Sequence, residues 1–141
     1  MNDLQPKLRV TVCRAPLSAE LSHEVAIRRL AAEMAQGEAV FAAAVANSAL
    51  TREAEERTFI GRGLAVPHAR LAGLAHPHIC LAASPGVDWG GGRATLIALL
   101  AVPEEQPEWH LRLLSTLARY VSAHRGEADL SALAAELTKM A

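Results

Sequence analysis

The chain has 141 residues, 51% of them hydrophobic and 21% charged, and a formal net charge of -1. That is the balance of a soluble globular chain, sized for one domain over residues 1–141. No Lys/Arg block runs along it, which argues against nucleic-acid binding, an affinity drawn mainly from neutralised phosphates. In chain order, Leu8, Val10 and Val12 alternate with Arg9, Thr11 and Cys13, a period of two that predicts a strand closed by Pro16. Ile27, Leu30, Ala31 and Met34 follow helical spacing, with Gly37 as the stop. A second helix carries Phe41, Ala44, Val45, Ser48 and Ala49 and runs on to about Glu53. Gly61 and Gly63 then flank Arg62, and Leu64-Ala65-Val66 leads as a short strand into Pro67-His68. Ile79 to Ala83 reads as a buried strand. Pro85-Gly86 and Gly90-Gly91-Gly92 read as turns. Ala94 to Val102 is apolar on both faces, as suits the centre of a sheet covered by helices. After Pro107, Leu111, Leu114, Leu117, Ala118 and Val121 form one helical stripe. Leu130, Leu133, Ala134 and Leu137 form the last, with Asp129 at its start, favourable for the helix dipole. Strand, two helices, several strands and two helices predict an α/β (α+β) domain, a mixed sheet flanked by helices.

Cys13 and Cys80 both lie in apolar runs and read as two buried free thiols. The start, Met1 to Pro6, is polar, and no secretory leader is expected. No uncharged apolar stretch reaches the roughly 18 residues of a membrane span. The expectation is therefore a cytoplasmic protein without direct membrane insertion.

Six histidines are available for chemistry: His23, His68, His76, His78, His110 and His124. His23 and His124 sit in polar helical contexts and read as solvated. Pro77 holds His76 and His78 in an extended segment whose side chains point apart. Without a Cys cluster or a His-Glu-x-x-His helix, this is a weak metal signal. His68 stands out. Glycines ahead of it permit tight turns and close approach by a partner. Pro67 stiffens the backbone on both sides of itself. The sequence thus sets an imidazole at the end of a buried strand beside an open edge, a good place for a reactive nitrogen. An idle loop histidine is the other reading. Arg70 either serves the same site or solvates the loop. His110 begins a helix beside Trp109, and Arg52 near the end of the second helix reads by itself as half of a surface ion pair.

Three segments together resemble a known family: Thr51-Arg52-Glu53, then Gly61-Arg62-Gly63-Leu64-Ala65-Val66-Pro67-His68-Ala69-Arg70, then His110-Leu111-Arg112-Leu113-Leu114. They are similar to the fructose/mannitol-type enzyme IIA domains of the bacterial phosphoenolpyruvate:sugar phosphotransferase system, which include the nitrogen-regulatory enzyme IIA proteins. The resemblance implies a phosphotransferase component with a phosphohistidine intermediate. It implies His68 as the phosphorylated nucleophile, Arg52 as the arginine that binds the phosphate, and His110 as the second, phosphate-stabilising histidine. It implies an HPr-type phosphocarrier as donor and an enzyme IIB cysteine as acceptor, or regulatory protein targets in the nitrogen branch. Neither cofactor nor metal is expected, since the phosphoryl donor is another protein's histidine.

The chain departs from the family pattern at three places. Ala69 stands where many members have glycine, Gly90-Gly91-Gly92-Arg93 is richer in glycine, and Ser122 to Leu130 is short. A reading of another class, a zinc-dependent hydrolase, requires His68, His76, His78 and His110 to converge.

Overall fold

The computed structural model describes residues 7–124 and 129–140. The polar start and the middle of the short Ser122–Leu130 connection lie outside the described residues. Chain order is β1 (Arg9–Val12), α1 (His23–Ala35), α2 (Ala39–Glu55), β2 (Phe59–Gly61), β3 (Leu64–Ala65), β4 (His68–Leu71), β5 (His78–Asp88), β6 (Arg93–Pro103), α3 (Glu108–Ala123) and α4 (Leu130–Thr138).

Capping accounts for several helix ends. The Ser22 side chain accepts from Val25 N at 3.1 Å and starts α1, supplying an acceptor to an otherwise orphaned amide. Left-handed Gln36, followed by Gly37 at φ 94°, stops it. Asp129 caps α4 through Ala132 N.

The sheet runs β1-β5-β6-β3-β2, and β4 extends the line of β3 along β6. β6 is parallel to β3 and β4 and antiparallel to β5, so the continuous apolar run is the central strand. Alternation along the strands divides two cores. Ala65, Ala69, Cys80, Ile97, Leu99 and Ala101 face α1 and α2. Leu64, Val66, Ile79, Leu81, Leu100 and Val102 face α3 and α4. The mixed sheet between two helical layers is the architecture expected from the element order.

Two local expectations need correction. Pro85-Gly86 is no chain reversal. It sits inside β5 at a bulge between Ala83 and Val87, after which pairing with β6 resumes at Val87↔Ala94. Ser84 Oγ accepts from Gly86 N at 3.1 Å, and Arg93 Nη1 donates to Gly86 O at 2.9 Å. The irregular backbone is therefore paired, as buried backbone must be. His68, in turn, does not end a strand. It begins β4, because the chain passes Pro67 and re-enters the ladder at His68↔Leu100. The reversal between β2 and β3 is made by Arg62 (φ 53°) and Gly63 (φ 77°), the two positive φ values of a tight hairpin turn. At Gly63 a Cβ would collide with Thr95 Oγ1.

Ala69 has ordinary strand backbone and is buried against the α1/α2 core, so no glycine freedom is needed there. Cys13 and Cys80 are free and buried, with sulfurs 3.8 Å apart. No described helix is long and apolar enough to cross a membrane.

Candidate functional site

β4 puts His68 and Arg70 on the face toward α3, because side chains two apart in a strand share a face. His110 is the third residue of α3. Its ring stacks on that of His68, centroids 4.3 Å apart and planes at 29°. Trp109 points the other way, into the core, where it is 4% exposed. The two histidines named from the sequence thus meet although 42 positions separate them.

Arg52 comes from the opposite layer. Among the described residues β4 pairs only with β6, and its outer side is met by α2. Ser48 Oγ accepts from Arg70 N at 3.0 Å and lies 3.4 Å from Arg70 O, within donating reach. Ser48 and Arg52 are four apart on one face of α2. Four helical residues rise about 6 Å, and the two strand residues from Arg70 back to His68 span about 6.6 Å. With α2 pinned to β4 through Ser48 and Arg70, Arg52 lies near enough for its charge to act on both His68 and His110. Its Nε is the one buried side-chain polar atom, among the described residues, with no hydrogen-bond partner. Buried donors are nearly always paired, so this cation stands ready for an acceptor.

Electrostatics agree with that arrangement. Burial chiefly lowers the pKa of His68 below its ordinary value, and the nearby charges of Arg52 and Arg70 lower it further. Burial likewise lowers His110, followed by His68, Arg70 and Arg52. Both rings are neutral at neutral pH. His68 Nδ1 lies 3.4 Å from Val66 O. A carbonyl only accepts, so Nδ1 carries the proton and donates, leaving the Nε2 lone pair free.

The remaining histidines lie elsewhere. His76 Nδ1 accepts from Lys7 N at 3.1 Å. His78 pairs with Ala101 on the α1/α2 face, its ring 5.1 Å from that of Phe41. His68 pairs with Leu100, on the other face. The convergence that a zinc hydrolase requires is absent, and no group of three or more described His, Cys, Asp or Glu side chains is placed to hold a metal. His124 stacks on Tyr120 at 4.1 Å. His23 is held by Arg57 Nη1 at 2.9 Å and packs near Trp89.

His78 carries a stability prediction. Burial, then Arg9 and His76, lowers its pKa to about 4. Between that value and the ordinary value near ~6.5, the unfolded chain binds a proton that the folded chain refuses. Stability must therefore fall as pH drops through this window. Replacing His78 with Gln is expected to remove about 2–3 kcal/mol of that loss. Urea midpoints from pH 7 to pH 4 check it, and parallel curves for the two proteins would contradict it.

Two residues escaped the sequence reading as site components. Ser48 appeared only as part of an apolar stripe, and Glu53 only as a neighbour of Arg52. Glu53 is 2% exposed and accepts from Thr58 N, Thr58 Oγ1 and Trp89 Nε1. No local pattern marks either residue, since their partners lie 22 to 36 positions away in three of the contacts.

Residues 17–136, which include Arg52, His68 and His110, match the family model described as "Phosphoenolpyruvate-dependent sugar phosphotransferase system, EIIA 2". The chain belongs to this family. Among curated relatives of this enzyme IIA family, the fructose-specific EIIABC component of Bacillus subtilis is 39% identical over 72 residues, covering 48% of this chain and 11% of that protein. The fructose-specific EIIA component of Haloferax volcanii is 34% identical over 80 residues, covering 54% of this chain and 52% of that one. The matched segments thus span about half or less of the length of these relatives. The nitrogen regulatory protein IIA-Ntr of Neisseria meningitidis shares the fold with a TM-score of 0.61 at 21% identity, over 95% of this chain and 86% of that one. Enzyme IIA mannitol of Escherichia coli, solved in complex with phosphorylated enzyme IIB mannitol, shares it with a TM-score of 0.60 at 20% identity, over 91% of this chain and 94% of that one. The enzyme IIA resemblance read from the three sequence motifs is borne out.

Proposed function

We propose that the chain, as one domain over residues 1–141, is a phosphoryl relay of the phosphotransferase system. It takes phosphate from an HPr-type phosphocarrier on His68 and passes it to an enzyme IIB cysteine. The observation that carries this reading is the stacked pair His68–His110, within the electrostatic reach of Arg52, whose buried Nε has no acceptor. Phosphoryl transfer asks a protein for positioning and charge stabilisation more than for covalent chemistry, and this site offers both.

The geometry supports the following step. His68 Nε2 attacks the phosphorus of the donor phosphohistidine. The new N–P bond forms as the donor's N–P bond breaks, and the electron pair returns to the donor's ring. The lowered pKa of His68 keeps the attacking nitrogen unprotonated. As the ring gains positive character, the Val66 carbonyl holds its Nδ1 proton. The Arg52 guanidinium, planar and always charged, takes the phosphoryl oxygens. A ring N–H of His110 donates to the same group. The reverse sequence delivers the phosphate to a thiolate. An enzyme IIB is also the partner with which the E. coli mannitol protein of this fold was solved.

The test is onward transfer. Protein phosphorylated by phosphoenolpyruvate, enzyme I and HPr is expected to hand its phosphate to the cysteine of a fructose- or mannitol-type enzyme IIB within a single turnover. A phosphorylated chain that leaves every such enzyme IIB unlabelled, while binding another protein according to its phosphorylation state, would favour the regulatory branch instead.

A further inference from the structure

A carboxylate buried to 2% exposure is costly unless its oxygens are hydrogen-bonded, and Glu53 meets that condition in a directed way. Oε2 accepts from Thr58 N at 2.8 Å and from Trp89 Nε1 at 3.1 Å, while Oε1 accepts from Thr58 Oγ1 at 2.6 Å. The chain of contacts then continues toward the site. Thr58 O accepts from Val66 N at 3.0 Å, and Val66 O faces His68 Nδ1 at 3.4 Å. Glu53 also directly follows Arg52 in the last turn of α2, where Arg52 O accepts from Glu56 N at 2.9 Å. One carboxylate is thus tied to both sides of the site: by covalent neighbourhood to the cation, and through Thr58 and Val66 to the imidazole. Trp89, fully buried at the end of β5, braces it from behind. The negative charge of Glu53 also reaches His68, where it opposes the pull of the arginines.

From this geometry we infer that Glu53 is a positioning residue for phosphoryl transfer, setting the distance between Arg52 and His68 through the chain Glu53–Thr58–Val66–His68. It touches neither phosphate nor donor and acts through its neighbours. The inference rests on the relay reading above.

Rapid-quench measurement of transfer from phosphorylated HPr, over a range of donor concentrations, tests it. Glu53→Gln removes the charge and, with its oxygen kept on Thr58 N and Trp89 Nε1, turns its N–H₂ toward Thr58 Oγ1, whose hydroxyl must then accept instead of donate. It is expected to lower the saturating rate about 10- to 100-fold, with the half-saturating donor concentration unchanged within about twofold, because the docking surface is untouched. Thr58→Val keeps the backbone N–H bond and loses only the hydroxyl. It is expected to lower the saturating rate about threefold, with Thr58→Ser restoring it. This milder pair serves if Glu53→Gln fails to fold. A folded Glu53→Gln, or a Thr58→Val protein, that transfers at the native saturating rate overturns the inference alone. So does a loss confined to half-saturation, or a Thr58→Ser protein as slow as Thr58→Val. Native protein that takes no phosphate from HPr overturns the relay reading, and this inference with it.

Discussion

Replacement of Arg52 by alanine is expected to slow phosphoryl transfer by about 10²–10³-fold while leaving the fold intact. The magnitude is that of removing one preorganised electrostatic group from a transition state that accumulates charge on oxygen. The unusual part is the stability side. Removing a partly buried charged residue that is tied into the fold ordinarily breaks partners and destabilises. Here the buried Nε has no partner to lose, and an unsatisfied buried donor itself costs about 1–3 kcal/mol. Arg52→Ala is therefore expected to melt at or slightly above the native temperature. Arg52→Lys should recover only part of the rate, because a point charge cannot span two phosphoryl oxygens as a guanidinium fork does. Single-turnover rates and melting temperatures on the same preparations check both halves. A native rate in Arg52→Ala would remove its phosphate-holding role. A collapsed melting temperature would show that the side chain serves the core instead.

The pairing of lost rate with retained stability is what a site held ready for charge should give. Stability and function pull apart where a group is kept in a conformation that only its task repays. Arg52 is held there by Ser48, one helical turn earlier, whose hydroxyl closes on the backbone of Arg70. The outer edge of β4 thereby gains a partner for an otherwise open amide, and α2 is fixed beside it at once.

Much of this was legible in the residues. Alternation at Leu8–Val12, the two-faced apolar run Ala94–Val102 and the stripes of α3 and α4 marked elements whose period or burial is strong. Gly61-Arg62-Gly63 announced a tight reversal, and the structure uses the positive φ of all three residues. The histidine, arginine and second histidine were marked by motif. What stayed illegible depends on tertiary pairing. Pro85-Gly86 carries the chemistry of a turn, yet the long ladder to β6 on either side absorbs it as a bulge. Leu64–Ala65 and His68–Leu71 are separate strands because Pro67 interrupts the ladder, and only β6 reveals that both lie on one line. Arg52, read alone, has the look of a surface cation. The burial of its Nε, on a side chain that is itself only partly buried, appears only once α2 lies against β4. Glu53 resembles any helical glutamate until Trp89, 36 positions later, folds onto it.

We propose that His68 itself carries the phosphate, on Nε2. A second large effect follows from it, because His68→Ala should abolish labelling altogether. No other ring in the site offers the same combination. His110 is stacked on His68 but has no described backbone acceptor fixing its tautomer, and the other four histidines lie outside the site. The half-exposed ring can be lost without opening a large cavity, so the variant should remain folded. The decisive measurement is therefore phosphorylation of native and His68→Ala protein by phosphoenolpyruvate, enzyme I and HPr, followed by peptide mapping and ³¹P–¹⁵N NMR of the product. The expected result is an acid-labile, alkali-stable phosphate on Nε2 of His68 in the native protein and none in the folded variant. Equal labelling of His68→Ala, or phosphate mapped to His110, would contradict the account.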